Sequence, residues 1–141
     1  MQEVKGELLI IYAPKLNVDF LIKAAVFVLP LGNGYYKVGA TFNWKDKTSE
    51  ITEEGKLELT EKLDTFITVP YKIVQQLAGI RPTVKDRRPL VGVHPKYQNL
   101  AILNGLGTRG VMIAPTAAKQ LYNLLENGID INYEYSIDRF L

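Results

Sequence analysis

The chain has 141 residues, 47% hydrophobic and 23% charged, a composition that excludes a disordered tail or a coiled coil and predicts one domain with its own core. Its 17 Lys and Arg against 15 Asp and Glu leave a net charge of +2, too little to argue for nucleic acid or an anionic membrane as partner. There is no Cys, which removes disulfides, thiolate zinc sites and thiol nucleophiles, and a single His cannot build the usual zinc cage.

The longest apolar runs, such as Leu8–Tyr12, fall far short of a membrane span, and the N-terminus MQEVKGE lacks the layout of a signal peptide. A cytoplasmic domain with no membrane partner is the expectation. Glu7–Tyr12 (ELLIIY), closed by Ala13-Pro14, predicts a partly buried strand. Leu21–Leu31 is rich in β-branched and aromatic residues, Gly32-Asn33-Gly34 tolerates positive φ, and Tyr35–Thr41 returns. Residues 21–41 therefore predict a β-hairpin. After a polar connection, Asn43–Glu54, the residues Leu59, Leu63, Phe66 and Ile67 mark one face of a helix over Lys56–Ile67, ended by Pro70.

Tyr71–Ile80 is a third long strand; YKIVQQLA alone also suits a helix, but Pro82 pushes Arg81 into an extended conformation. Arg88–Val93 and Leu100–Leu103 predict two short strands. The Gly-rich segment Asn104–Gly110 leads into a helix from Ala114 to about Asn127, whose stripe Ala114, Ala118, Leu121 and Leu125 is expected to face a core. Gly128 is its stop signal. The tail Ile129–Leu141 is aromatic and charged, without a clear pattern.

Two places suit chemistry. Asn104–Gly110 carries three glycines at a helix start, where backbone N–H groups favour negative or electron-rich atoms; plain chain reversal explains such a turn about as well. Arg81, at a strand end, can hold a carboxylate through two parallel hydrogen bonds, or simply pair with Asp86. His94 reads as a loop residue, and Tyr35, Tyr36, Tyr133 and Tyr135 as packing. No catalytic triad, carboxylate pair or metal site can be assembled.

Taken in order, VKGELLII, FVLPLGNGYYKVGAT, AGIRPTVKDRRPLVGVHP and NLAILNGLGTRGVMIAP resemble the C-terminal part of the D-amino-acid oxidase and glycine oxidase family of FAD-dependent oxidoreductases. The most specific blocks are Gly79–Gly92 and Gly105–Pro115. The resemblance implies an α+β fold, a mixed and largely antiparallel sheet with helices packed on one face. It implies a substrate-domain-like sheet and helix over residues 1–95. Residues 96–141 then correspond to the last strand–turn–helix of the FAD-binding domain and a C-terminal tail.

By the same resemblance Arg81 anchors a substrate carboxylate, and Gly105, Leu106, Gly107, Thr108, Arg109, Gly110, Val111 and Met112 lie against the flavin ring. Hydride passes from the substrate α-carbon to flavin N5, which needs no protein acid or base. Phe27 stands where many such oxidases carry a carboxylate-binding Tyr, so a larger secondary amine is as suitable a substrate as a small free amino acid. The Gly-rich βαβ for the FAD pyrophosphate has no counterpart in these residues. The resemblance thus implies FAD in the complete protein, none bound to this chain alone, and an N-terminal FAD-binding segment or subunit as partner. An unpaired strand at Leu100–Leu103 and an uncovered helix face favour a homodimer. The alternatives are a non-catalytic subunit or interaction module, or a small-ligand-binding domain using Arg81.

Overall fold

The structure, a computed structural model, describes all 141 residues. The chain forms two compact units, Val4–Ile80 and Arg81–Leu141 with Met1–Glu3. No helix is long and apolar enough to cross a membrane.

The first unit is built on a five-stranded sheet, in spatial order β2-β3-β4-β1-β5. Its strands are β1 (Gln2–Tyr12), β2 (Ile22–Lys23), β3 (Phe27–Gly32), β4 (Tyr35–Gly39) and β5 (Lys72–Thr83). β1 runs antiparallel to β4 with Leu9 opposite Val38 and Ile11 opposite Tyr36; β3 runs antiparallel to β4 with Val28 opposite Val38. Those five side chains share one face and are buried, the period-two pattern of a half-covered sheet. Helix α1 (Glu53–Asp64) covers that face with Leu59 and Leu63, both fully buried.

Three sequence expectations change in this unit. Leu21–Leu31 is two strands, because Ala24 N–H donates to the Val26 carbonyl and turns β2 back onto β3. The predicted hairpin is then β3–β4, with Gly32, Asn33 and Gly34 at φ +90°, +52° and +78°. Helix α1 begins three residues before Lys56, since Thr52 Oγ1 caps it by accepting from Gly55 N–H at 3.0 Å and acidic Glu53 and Glu54 fill its first turn. It stops at Asp64, so Phe66 and Ile67 pack from beyond the helix and Pro70 plays no part in ending it. β5 continues through Pro82 to Thr83, and an edge strand is where a sheet tolerates a residue without an N–H.

In the second unit β6 (Leu90–Val93) pairs antiparallel with β7 (Ala101–Asn104), Val91 opposite Leu103. β6 and β7 lie with the last helix in the unit that holds Arg81–Leu141. A 3-10 turn, Gly107–Arg109, runs directly into α2 (Gly110–Asn127), which starts four residues before Ala114, at Gly110, whose φ of −51° and ψ of −45° are right-handed helical. Gly128 ends it at φ +62°, as its sequence position predicts. The inner face of α2 is Ile113, Ala117, Leu121 and Leu124, whereas Ala118 and Leu125 are exposed. The expected stripe is thus rotated by about one residue. The patternless tail is held by polar contacts: Val91 N–H donates to the Tyr135 carbonyl at 2.8 Å, and Arg139 Nε donates to Asp86 Oδ2 at 2.7 Å.

Candidate functional site

Arg81 sits near the end of β5, half-buried, and burial pulls its guanidinium below the ordinary arginine range. It stays charged at neutral pH, and a partly desolvated guanidinium binds an anion more strongly than one in bulk water. The strand then turns in through Thr83 and Val84, both buried. These two residues seat the glycine turn. A Cβ on Gly105, at φ +69°, would lie 2.5 Å from Val84 Cγ2, and one on Gly107, at φ +57°, would lie 3.5 Å from Thr83 Oγ1. Glycine is required at 105 by close approach and by backbone angle together. The segment carrying Arg81 and the turn Gly105–Gly110 are thereby brought together in one unit.

The turn is open on its other side. Neither the 3-10 turn nor α2 has a side-chain cap at its start, and no acidic residue stands in the first turn of α2. Thr108 and Arg109 are exposed, and Val111 and Met112 are 96% and 78% exposed. Uncapped N–H groups at the positive end of an 18-residue helix, flanked by apolar side chains, fit the electron-rich rim and flat face of a flavin ring. Gly105 is buried against Val84, and Leu106, Gly107, Thr108, Arg109, Gly110, Val111 and Met112 continue from it in one stretch.

Asp86, His94, Phe27 and Tyr36 all have structural roles. Asp86 is held by Arg139 and accepts from Arg88 N–H at 3.1 Å, so the salt bridge formed by Asp86 joins it to the tail. His94 Nδ1 accepts from Lys96 N–H at 3.0 Å and Tyr97 N–H at 3.3 Å, closing a loop. Phe27 belongs to the first unit, opposite Gly39 in the β3–β4 ladder. Its ring lies where a Cβ on Gly39 would be only 2.9 Å away. Tyr36 is buried, its hydroxyl donating to the Val18 carbonyl at 3.4 Å.

One polar group escaped the sequence reading. Lys5 and Glu7, on the same face of β1, are 1% and 4% exposed. Glu7 Oε2 accepts from Thr52 N–H at 2.9 Å and from Gln76 Nε2 at 2.7 Å, and Oε1 accepts from the Thr52 hydroxyl at 2.7 Å. Lys5 Nζ lies 3.5 Å from Glu7 and 2.5 Å from Asp46. Glu3, Lys5 and Glu7, three charges at alternate positions opening a strand that is apolar from Leu8 on, were the available signal.

Residues 1–124 match the family model described as "DAO: FAD dependent oxidoreductase". The chain belongs to this family of FAD-dependent oxidoreductases. Glycine oxidase of Bacillus subtilis (strain 168) is 29% identical over 143 residues, an alignment covering 96% of this chain and 38% of that enzyme. Glycine oxidase of Bacillus licheniformis is 26% identical over 125 residues, 86% of this chain and 34% of that enzyme. Among solved structures, L-proline dehydrogenase from P. horikoshii superposes with a TM-score of 0.80 at 18% identity, covering 99% of this chain and 40% of its own. Glycine oxidase from Bacillus cereus ATCC 14579 gives 0.77 at 21% identity, 91% of this chain and 36% of its own. These structures establish the α+β fold as that of FAD-dependent oxidoreductases. The chain spans less than two fifths of the length of the two curated glycine oxidases.

Proposed function

We propose that this chain supplies the substrate-carboxylate anchor and the flavin-facing turn of an FAD-dependent amine or amino-acid oxidoreductase. The supporting observation is the seating of the Gly105–Gly110 turn on Thr83 and Val84, directly after Arg81. It unites the two family blocks in one structural unit. FAD, when bound, supplies the hydride acceptor at N5 of its ring. Arg81 would hold the substrate carboxylate and so orient the α-carbon. The N–H groups opening the helical run at Gly107 would stabilise negative charge growing on the ring's electron-rich rim. Val111 and Met112 would exclude water from that contact.

Small amines and amino acids are the substrate class. The same reading gives α2 a protein partner. Val111, Ala118, Tyr122 and Leu125 form an exposed apolar stripe at helical spacing on α2, and β7 has β6 as its one strand neighbour. An FAD-binding segment or subunit covers this surface in the working enzyme, and a second copy of the chain covers it otherwise.

The test is Arg81→Lys in the FAD-loaded enzyme containing this chain. Replacing a planar fork by a point charge should raise KM for carboxylate substrates, a loss of about 2–5 kcal/mol in transition-state binding. An unchanged kcat/KM would remove Arg81 from the site.

A further inference from the structure

The C-terminal tail buries one side chain against the trend of its neighbours. Tyr133, Phe140 and Leu141 are exposed, yet the Arg139 side chain is only 5% exposed. A guanidinium leaves water only where its donors find partners. Here they do. Nε donates to Asp86 Oδ2 at 2.7 Å and Nη2 to Asp86 Oδ1 at 3.4 Å, a forked grip on one carboxylate. Nη1 donates to the Ser136 carbonyl at 2.7 Å, and Nη2 also to the Arg88 carbonyl at 3.1 Å. The Arg139 hydrogen bond holds the Asp86 carboxyl below the ordinary carboxylate range.

What Arg139 grips is the loop from Val84 to Arg88. Within that loop Arg87 N–H donates to the Val84 carbonyl at 2.9 Å, and Arg88 N–H to Asp86 Oδ1 at 3.1 Å. Arg87 sits at φ +58°, a conformation that costs a non-glycine residue free energy and persists where the surroundings fix it. The same loop seats the glycine turn. A Cβ on Gly105 would lie 2.5 Å from Val84 Cγ2 and 3.5 Å from the Arg88 carbonyl oxygen. The oxygen that accepts from Arg139 is therefore one of the atoms lining Gly105.

We propose that Arg139 is a positioning residue for the glycine turn, clamping Asp86 and the Arg88 carbonyl so that the Val84–Arg88 loop holds Gly105 in place. All of these residues belong to the unit Arg81–Leu141. The tail has its own hold on β6: Val91 N–H donates to the Tyr135 carbonyl at 2.8 Å, and Ile137 packs so closely over Gly92 that a Cβ there would lie 2.8 Å from its Cγ1. Losing the guanidinium thus frees the loop while the tail stays docked. A second ion pair, Arg88 with Glu134 at 3.2 Å, joins the same loop and tail between exposed side chains, and it touches neither Val84 nor the Arg88 carbonyl. The clamp stands on these contacts alone; its consequence for a flavin rests on the function proposed above.

The experiment compares Arg139→Met with Glu134→Gln in the 141-residue chain, following amide exchange and resonance positions residue by residue by NMR. Arg139→Met keeps the apolar stem and removes every donor. It should speed exchange at Arg87 and Arg88 about tenfold and move the resonances of Gly105–Gly107, with the Val91 amide and the β6–β7 ladder still protected. Glu134→Gln should do neither. Asp86→Asn added to Arg139→Met should move the turn no further, since the two groups act as one unit. An unmoved turn, equal effects of the two single variants, or protection lost throughout β6 and β7 would overturn the clamp. If Arg139→Met does not fold, Asp86→Asn alone must give the same confined effect. In the FAD-loaded enzyme, Arg139→Met should shift the flavin absorption bands and lower kcat about tenfold, and Glu134→Gln should leave both. A displaced turn with an unchanged flavin spectrum would uphold the clamp and count instead against the flavin contact of the turn.

Discussion

Gly55→Ala is expected to destabilise the chain, although it replaces a helix glycine by the best helix former. In an exposed helix interior this change gains about 1 kcal/mol. Here the new Cβ would stand 2.6 Å from Glu7 Cδ and Oε1 and 2.8 Å from Oε2. A carboxylate at the end of a free side chain would swing aside at little cost. Glu7 is instead fixed by two hydrogen bonds from Thr52 and one from Gln76. Displacing it weakens three bonds to a charged acceptor, each contributing about 1 kcal/mol or more. The loss of roughly 3 kcal/mol against a gain of about 1 leaves a net destabilisation near 2 kcal/mol. Urea unfolding should show a lower midpoint at unchanged slope. The same substitution placed in a Glu7→Ala background meets no carboxylate and should be stabilising, so a double-mutant cycle isolates the contact. A neutral or stabilising Gly55→Ala in the unaltered chain would refute the packing of Glu7 under the α1 N-terminus.

Acid should loosen the same region. Burial raises the Glu7 carboxyl, but hydrogen bonds from Thr52 and Gln76 and the charge of Lys5 hold it below its ordinary 4.5, while the Lys5 hydrogen bond holds Asp46 at about 2. Their stabilisation is complete above the ordinary values of 4.5 and 3.8 and is lost as pH falls through the lower folded values; Asp46→Asn should flatten a thermal-stability profile between about pH 4 and 2. Phe27→Tyr should improve turnover of small free amino acids by the FAD-loaded enzyme if a carboxylate reaches β3, a hydroxyl contributing about 0.5–1.5 kcal/mol; no change across an amino-acid panel would exclude that contact. The purified chain should be colourless and dimeric by light scattering, and Tyr122→Lys with Leu125→Glu should make it monomeric, whereas a yellow monomer would contradict the partner surface assigned to α2.

The sequence alone determined what depends on neighbours along the chain. The β3–β4 turn was legible because Gly32-Asn33-Gly34 admits positive φ, and the end of α2 because Gly128 does. The family was legible in the blocks at Gly79–Gly92 and Gly105–Pro115, whose glycines and Arg81 answer to local backbone angle and charge. Tertiary structure decided the rest. The sequence alone did not show whether Asp86 meets Arg81 or Arg139, 53 residues away. The face of α2 was rotated by a residue because a two-stranded sheet covers only a narrow stripe, and Leu125 is apolar whether or not anything covers it. The Lys5–Glu7–Thr52–Gln76 hub was invisible for a plainer reason. Charged residues ordinarily seek water, and only the meeting of β1, α1 and β5 supplies enough donors to bury a carboxylate there.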